Sequence, residues 1–451
     1  MPVENQPFVQ MRLVFYFVLA VLINSVMDGL PRGLPSPQLV LLPLTIIFLS
    51  AYWCMLHPQK LISTLERFSN KVTWRTCVWL SMLFVAAGFV VVVHEAQYYR
   101  SFGYRLYPIA TAALFTVVLG FLWLAQSRQQ ISGRTLFLII LGCYLAFEIF
   151  SIVNFPLDIR RSDMFAMIGA EGGELARGHN PFHLYMSPET DYCAYLPFLL
   201  ASYIPGILLR IDLRWVATAY MVLTASIAFW AAKPAHRRIV AALLGTYLLS
   251  NYVIYRHEIY LQIYWLMLMI MAILLSRGRT LAAALALGIA IGTSQLTLAI
   301  FPFLLLHALQ KDGWIKAIKA TAVTLGSAAA ILIPFVVWKP NTMLYGIAGR
   351  YYGHNSVNAR PMNLVYWIAH VVPPNHMQLV QMAALVSVFG VAVLKRSCRD
   401  AAGCLAMMMT AYLLFIMLNV LLDGYFYLTF LVLAIAYLCT VNSWWAEPLA
   451  I

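Results

Sequence analysis

Apolar runs of 17 or more residues recur along the whole of this 451-residue chain. Each is long enough, at ~1.5 Å per helical residue, to cross a hydrocarbon core of ~30 Å. Length therefore translates into membrane spans rather than soluble domains. Composition agrees: 62% of residues are apolar, 10% are charged and the mean hydropathy is +0.79, far from the roughly one-quarter charged residues of soluble domains. The expectation is an all-α polytopic membrane protein of about 12 transmembrane helices, over 11–28, 38–56, 76–93, 107–125, 135–153, 215–232, 239–255, 259–276, 320–338, 378–394, 404–422 and 425–445.

The net charge of +13 does not point to nucleic acid. The Lys and Arg residues come in groups of two to four between apolar runs, at 57–75, 233–238, 277–279, 311–319 and 395–399, a pattern suited to the cytoplasmic leaflet. With all five loops on that side, the acidic 154–194 loop lies outside, beside 255–262 and 339–363, and both termini are cytoplasmic. Leu13 to Val26 reads as a retained helix, since no basic stretch precedes it and no small-residue cleavage site follows. The seven cysteines mostly sit in apolar runs, which indicates neither a disulfide framework nor a zinc site.

Parity then constrains two segments. One crossing is allowed between residue 195 and the 233–238 loop, so 195–206 should dip into the membrane without crossing. By the same count 280–310 becomes a hairpin of two short halves, its polar tip at Gly292, Thr293, Ser294 and Gln295. Broken helices are tolerated where they are buried in protein or line a wet cavity, so both re-entrant segments imply a cavity on the outer side, unless each is a pair of ordinary short helices. The chain divides into a four-helix module at 1–134, a scaffold or a docking place for a partner protein, a core at 135–365 and C-terminal helices at 366–451.

Six of the 17 acidic residues fall between Asp158 and Asp191. Ser162 suits an N-cap and Gly178 to Pro181 a stop, so Asp163 to Arg177 is expected to form an amphipathic helix on the outer surface. Met164, Phe165, Ile168 and Leu175 make its apolar side; Asp163, Ala170, Glu171 and Glu174 lie on or near the other. At the first helical position Asp163 is kept ionised by the helix dipole and by Arg160 and Arg161. It is either an ordinary first-turn residue or a carboxylate placed to deprotonate a hydroxyl. Asp158 is a second candidate base. Glu171, Glu174, Glu189 and Asp191 form a solvated acidic face or position the hydroxyls of an acceptor. Arg256 and His257, with Gln262 facing the same cavity, can bind a lipid-linked phosphate or phospholipid headgroups; Arg350, His354 and Arg360 are a second such group. Glu148, inside a span, marks either a cavity or an interhelical hydrogen bond. No Asp-x-Asp, HExxH, P-loop or Gly-x-Ser-x-Gly motif occurs.

Ser162-Asp163, then Gly178-His179-Asn180-Pro181-Phe182, then Tyr195-Leu196-Pro197 resemble the first outer loop of the GT-C superfamily of polyprenyl-phosphate-sugar-dependent glycosyltransferases. The branch most similar is glycosyltransferase family 87, the polyprenyl-phosphate-mannose-dependent α-mannosyltransferases. The resemblance runs over about 135–365. Leu261-Gln262-Ile263-Tyr264 keeps the glutamine of a Gly-Gln-x-Asn element, Gln295-Leu296-Thr297-Leu298 loses both key residues of a Lys-x-x-Pro element, and His354-Asn355-Ser356 echoes an Asn-x-Ser element. It implies a GT-C fold in a bacterial inner membrane, active on its periplasmic face. Asp163 would be the base of an inverting transfer, most readily of mannose, from a polyprenyl-phosphate sugar to a glycolipid or lipid-anchored glycan. Glu171, Glu174 and Tyr195 would face the acceptor, Arg256, His257, Gln262, Arg350, His354 and Arg360 the donor phosphate, with neither metal nor cofactor. The lost asparagine and lysine leave room for an arabinofuranosyl or uronosyl donor, or for a glycan ligase or polymerase. A lipid transporter or flippase is the alternative that is not an enzyme.

Overall fold

The structure, a computed structural model, describes residues 131–154, 164–183, 195–232, 237–248, 260–338, 340–344, 364–368, 371–419 and 426–440, with a few isolated positions besides. The four spans expected before residue 131, the basic 57–75 loop and the N-cap Ser162 lie outside the described residues. Among the described residues every regular element is a helix.

Among the described residues four helices are long and apolar enough to cross a membrane: α1 (Gly133–Asn154), α4 (Leu213–Ala231), α9 (Trp314–Trp338) and, from His376 onward, α12 (Pro374–Leu394). They match the expected spans at 135–153, 215–232, 320–338 and 378–394. The most apolar windows of α9 and α12 are only 17% buried in the protein. Ile318, Leu325, Ile333, Leu379, Val386 and Leu394 stand exposed on them. Such faces are unfavourable in water and at home against lipid tails. The other four spans expected after residue 131 are represented by α5 (Arg237–Leu248), α6 (Gln262–Ser276), α13 (Ala401–Met417) and α14 (Tyr427–Thr440), whose described parts run 12 to 17 residues.

The remaining helices are shorter: α2 (Met164–Ala176), α3 (Pro197–Leu208), α7 (Thr280–Ile291), α8 (Phe301–Asp312), α10 (Pro340–Leu344) and α11 (Leu364–Ile368). The expected hairpin is α7 and α8. Thr280 donates its hydroxyl to Asp312 at 3.3 Å, which joins the two open ends. Each half has 12 residues, about 18 Å, too short to cross. Both halves pack along α9. A Cβ on Gly288 would lie 1.9 Å from Ser327 Oγ and 2.4 Å from the Thr324 carbonyl oxygen, so only glycine lets α7 and α9 approach this closely.

The segment expected to re-enter, 195–206, corresponds to α3, also 12 residues long. It runs antiparallel to the first half of α4, with Gly206 against Leu213 and Val216 and Tyr220 donating to the Ser202 carbonyl at 2.7 Å. Its turn into α4 has the Schellman pattern, Ile211 N–H to Gly206 O and Arg210 N–H to Ile207 O, with Arg210 in the left-handed region at φ 55°.

One hydrophobic core runs through α1, α4 to α8, α13 and α14. In it the indole N–H of buried Trp265 donates to Thr429 Oγ1 at 2.8 Å, which satisfies the one polar atom of that side chain. A second core lies toward the other end of the bundle, the outer end if the charge pattern of the loops is followed, and is formed by residues such as Phe165, Ile168, Tyr195, Tyr203, Leu213 and Met343.

The described basic loops share one end of the bundle. Arg134 and Arg237 both sit over the Trp230 ring, at 5.9 and 5.0 Å. Gln310 accepts from Cys398 N–H at 3.1 Å, which brings the 311–319 and 395–399 loops together, and Gly278 approaches Lys311. α2, the 209–212 turn, residues 260–262 and α10 gather at the opposite end.

Candidate functional site

At the outer end α2 is where the sequence places it, over Met164–Ala176 against an expected 163–177. Its stop is a Schellman motif: His179 N–H donates to Glu174 O at 2.9 Å and Gly178 N–H to Leu175 O at 3.0 Å, with Gly178 at φ +78°. The two positions that usually share an apolar contact here share a hydrogen bond instead, from His179 Nδ1 to the Glu174 carboxylate at 2.8 Å. Arg177 bonds the same carboxylate. Asn180 then accepts from Phe182 N–H at 2.9 Å, and Phe182 sets its edge against Phe335 of α9. The Gly-His-Asn-Pro-Phe segment thus builds the turn that seats α2.

Glu171 is placed differently from its expected position on the polar side of a surface helix. Its relative exposure is 0%, while the Glu174 side chain keeps 17%. The cause is tertiary. α2 is wedged along α3 and touches α4, and its buried residues Phe165, Met167, Ile168, Glu171 and Gly172 cover about 160° at ~100° per residue. The acidic face is therefore partly an interior face.

Tyr195 and Gln262, 67 positions apart, meet in one aromatic cluster. Phe165 of α2 packs edge-on against Tyr203 of α3 at 5.6 Å. Tyr203 donates its hydroxyl to Gln262 Oε1 at 3.4 Å. Tyr195 stacks at a tilt on Tyr260 at 4.8 Å, just before Gln262 at the start of α6. Aromatic faces with hydroxyl and amide groups at their rims suit a ligand that is part apolar and part hydroxylated.

The hairpin tip reaches the same place, since Phe198 N–H donates to the Gly292 carbonyl at 3.2 Å. Its polar side chains do not line an open cavity as expected. Thr293 and Ser294 are buried, Thr293 bonds the Ile289 carbonyl, and Thr297 bonds those of Ala290 and Ser294. A tip that leaves the helical pattern releases carbonyls, and nearby hydroxyls satisfy them first.

The outer end also holds further buried polar residues, of which the sequence singled out Glu148 and missed Arg214, Ser151 and Thr218. Arg214, in the first turn of α4, is 1% exposed and makes a forked pair with Asp212, Nε to Oδ1 at 3.0 Å and Nη2 to Oδ2 at 2.6 Å. Asp212 is also the N-cap of α4, accepting from Arg214 N–H. Nη2 reaches the Ile152 carbonyl of α1 at 3.3 Å. Glu148 and Ser151 on α1 and Thr218 on α4 are buried alongside, and the Tyr144 hydroxyl lies within bonding reach of Glu148 and Thr218. Glu148 thus has a partner on its own helix, and through Tyr144 a link to α4. The available signal is an arginine within the apolar 195–232 run, two residues after an aspartate.

Asp158, Asp163, Arg256, His257, Arg350, His354 and Arg360, together with Glu189 and Asp191, lie outside the described residues. Among the described residues no three His, Cys, Asp or Glu side chains come together to hold a metal ion, and Cys143, Cys398, Cys404 and Cys439 are free thiols. Comparison of the chain with protein-family models, with curated proteins and with solved structures finds no match in any of the three.

Proposed function

We propose that this protein is an integral-membrane glycosyltransferase of GT-C type that moves a sugar, mannose in the first instance, from a polyprenyl monophosphate to a glycolipid or lipid-anchored glycan. One observation carries the reading. The contacts from Phe165 to Tyr203 to Gln262 join the start of α2, the re-entrant α3 and the outer end of α6. The sequence resemblance puts the base, Asp163, just before α2, acceptor residues on α2 and, with Tyr195, just before α3, and a donor residue, Gln262, at the start of α6.

In this mechanism an acceptor hydroxyl oxygen attacks the anomeric carbon as the bond to the donor's phosphate oxygen breaks. Polyprenyl phosphate leaves with the bonding pair, and the hydroxyl proton passes to Asp163. The residue precedes Met164 of α2, where a helix N-terminus favours the carboxylate form. Arg256 and His257 would offset charge on the departing phosphate. Direct displacement inverts the anomeric centre, so a β-linked donor yields an α-linked product. The proposed setting is a bacterial inner membrane, with this end of a bundle of about 12 helices facing the periplasm.

The test is transfer of radiolabel from polyprenyl-phosphate mannose to lipid products by the purified protein with a membrane lipid extract. Asp163→Asn should lower transfer by about 10² to 10⁴, while Asp158→Asn stays near wild type. Equal transfer by wild type and Asp163→Asn would remove the base. Transfer from arabinofuranosyl or uronosyl lipid phosphates alone would change the donor. Lipid translocation in vesicles without any transfer would make the protein a transporter.

A further inference from the structure

We propose that Arg214 and Ser151 form a binding subsite, between the outer ends of α1 and α4, for a neutral hydroxyl-bearing group of the kind a sugar presents. Two of the three Arg214 guanidinium nitrogens are engaged, by Asp212 and by the Ile152 carbonyl, whereas Nη1 is buried with no acceptor. Ser151, next in the chain to Ile152, is fully buried and its hydroxyl has no partner either. It lies on the face of α1 that carries Tyr144, Phe147 and Glu148, spaced seven, four and three residues from it; α1 packs against both α5 and α4, and on this face Tyr144 reaches Thr218 of α4.

A buried guanidinium N–H without an acceptor is among the costliest hydrogen-bonding defects a protein can hold, because the group has given up water and gained nothing. A second unmet hydroxyl on the facing helix makes one shared occupant the simplest explanation. Nη1 requires an acceptor oxygen, and Ser151 Oγ can donate or accept. An alcohol oxygen meets both requirements.

Charge selects between an alcohol and an anion. Asp212 pairs with Arg214 through both carboxylate oxygens, and Glu148 stands one turn along α1 from Ser151, 3% exposed. Among the described residues the neighbourhood therefore holds two carboxyl groups against one guanidinium. A phosphate would add a like charge in a poorly screened interior; a sugar hydroxyl adds none. The subsite is separate from the Tyr195 and Gln262 cluster, and it serves a protein that carries a sugar as well as one that transfers it.

The test is binding rather than turnover, by titration of the full-length protein in nanodiscs with methyl α-D-mannopyranoside and, separately, with inorganic phosphate. Wild type should bind the glycoside and not phosphate. Ser151→Ala and Arg214→Lys should each weaken glycoside binding roughly tenfold or more. The unfolding temperature of Ser151→Ala should stay at the wild-type value, because the hydroxyl it removes has no protein partner. If Arg214→Lys does not fold, Ser151→Ala decides alone. Absence of glycoside binding by wild type overturns the proposal, as does unchanged binding in either folded variant, a preference for phosphate, or a high-resolution map with only water at Nη1.

Discussion

The two ends of the bundle differ in how many charged and amide side chains they bury. At the basic end, polar side chains close onto the backbone of the next helix. His307 Nδ1 donates to the Cys398 carbonyl, Gln310 bonds both Ala392 O and Cys398 N–H, and Asp400 caps α13 by accepting from Gly403 N–H at 2.7 Å. His307 Nε2 and Arg237 Nε are exceptions. At the outer end Glu148, Ser151, Glu171, Asn180, Arg214 and Gln262 are all buried. Polar groups of this kind are expensive inside a membrane protein, and apolar residues of similar volume would often be no less stable. Their concentration beside the converging outer elements fits a role in recognition or chemistry, while the basic end serves to join helices.

Variants can break or sharpen this contrast. The largest effect on stability is expected from Asp212→Asn. Asparagine keeps the N-cap but removes the carboxylate directly paired with the buried Arg214 guanidinium, a loss of about 3–5 kcal/mol. An unfolding temperature in detergent equal to wild type would show that the outer ion pair is not a structural necessity. At the basic end Gly403→Ala would place a Cβ 2.0 Å from the Ser397 carbonyl oxygen, and the forced shift should cost about 1–3 kcal/mol. That variant should retain sugar transfer per folded molecule; a selective loss of transfer would undo the division between the ends. The smallest change should be a gain. Arg210→Gly relieves a left-handed residue at φ 55° and should raise stability by up to ~1 kcal/mol, whereas an unchanged or lowered unfolding temperature would mean that the arginine side chain offsets its own backbone strain.

Much of this architecture is legible in the order of the amino acids. Apolar run lengths place α1, α4, α9 and α12 to within a few residues, apart from an α9 that begins six residues early. The distribution of Lys and Arg anticipates which described loops share an end. Parity alone anticipates that α3 and the α7–α8 hairpin turn back. Gly178 marks the end of α2 because it is suited to a left-handed stop.

Glu171 and Arg214 show where such reading ends. The expected polar side of α2 includes Glu171, yet at ~100° per residue it stands only about 20° from Met164 and about 40° from Leu175, at the border of the apolar side; burial follows once α3 and α4 cover an arc slightly wider than that stripe. Arg214 sits in a run whose hydropathy reads as a plain span, and its partners are an N-cap two residues away and a carbonyl 62 residues earlier. The threonines at the hairpin tip are readable as polar but not as consumed by released carbonyls.

The amino-acid sequence by itself determined that this chain is helical, suited to a membrane and divided into a basic and an acidic end, because those properties follow from local composition and from helix length against bilayer thickness. Tertiary structure alone decided which polar residues are interior and that Tyr195, Tyr203, Tyr260 and Gln262 share one place. Burial and convergence depend on which helices lie side by side, and no stretch of sequence carries that information about its neighbours.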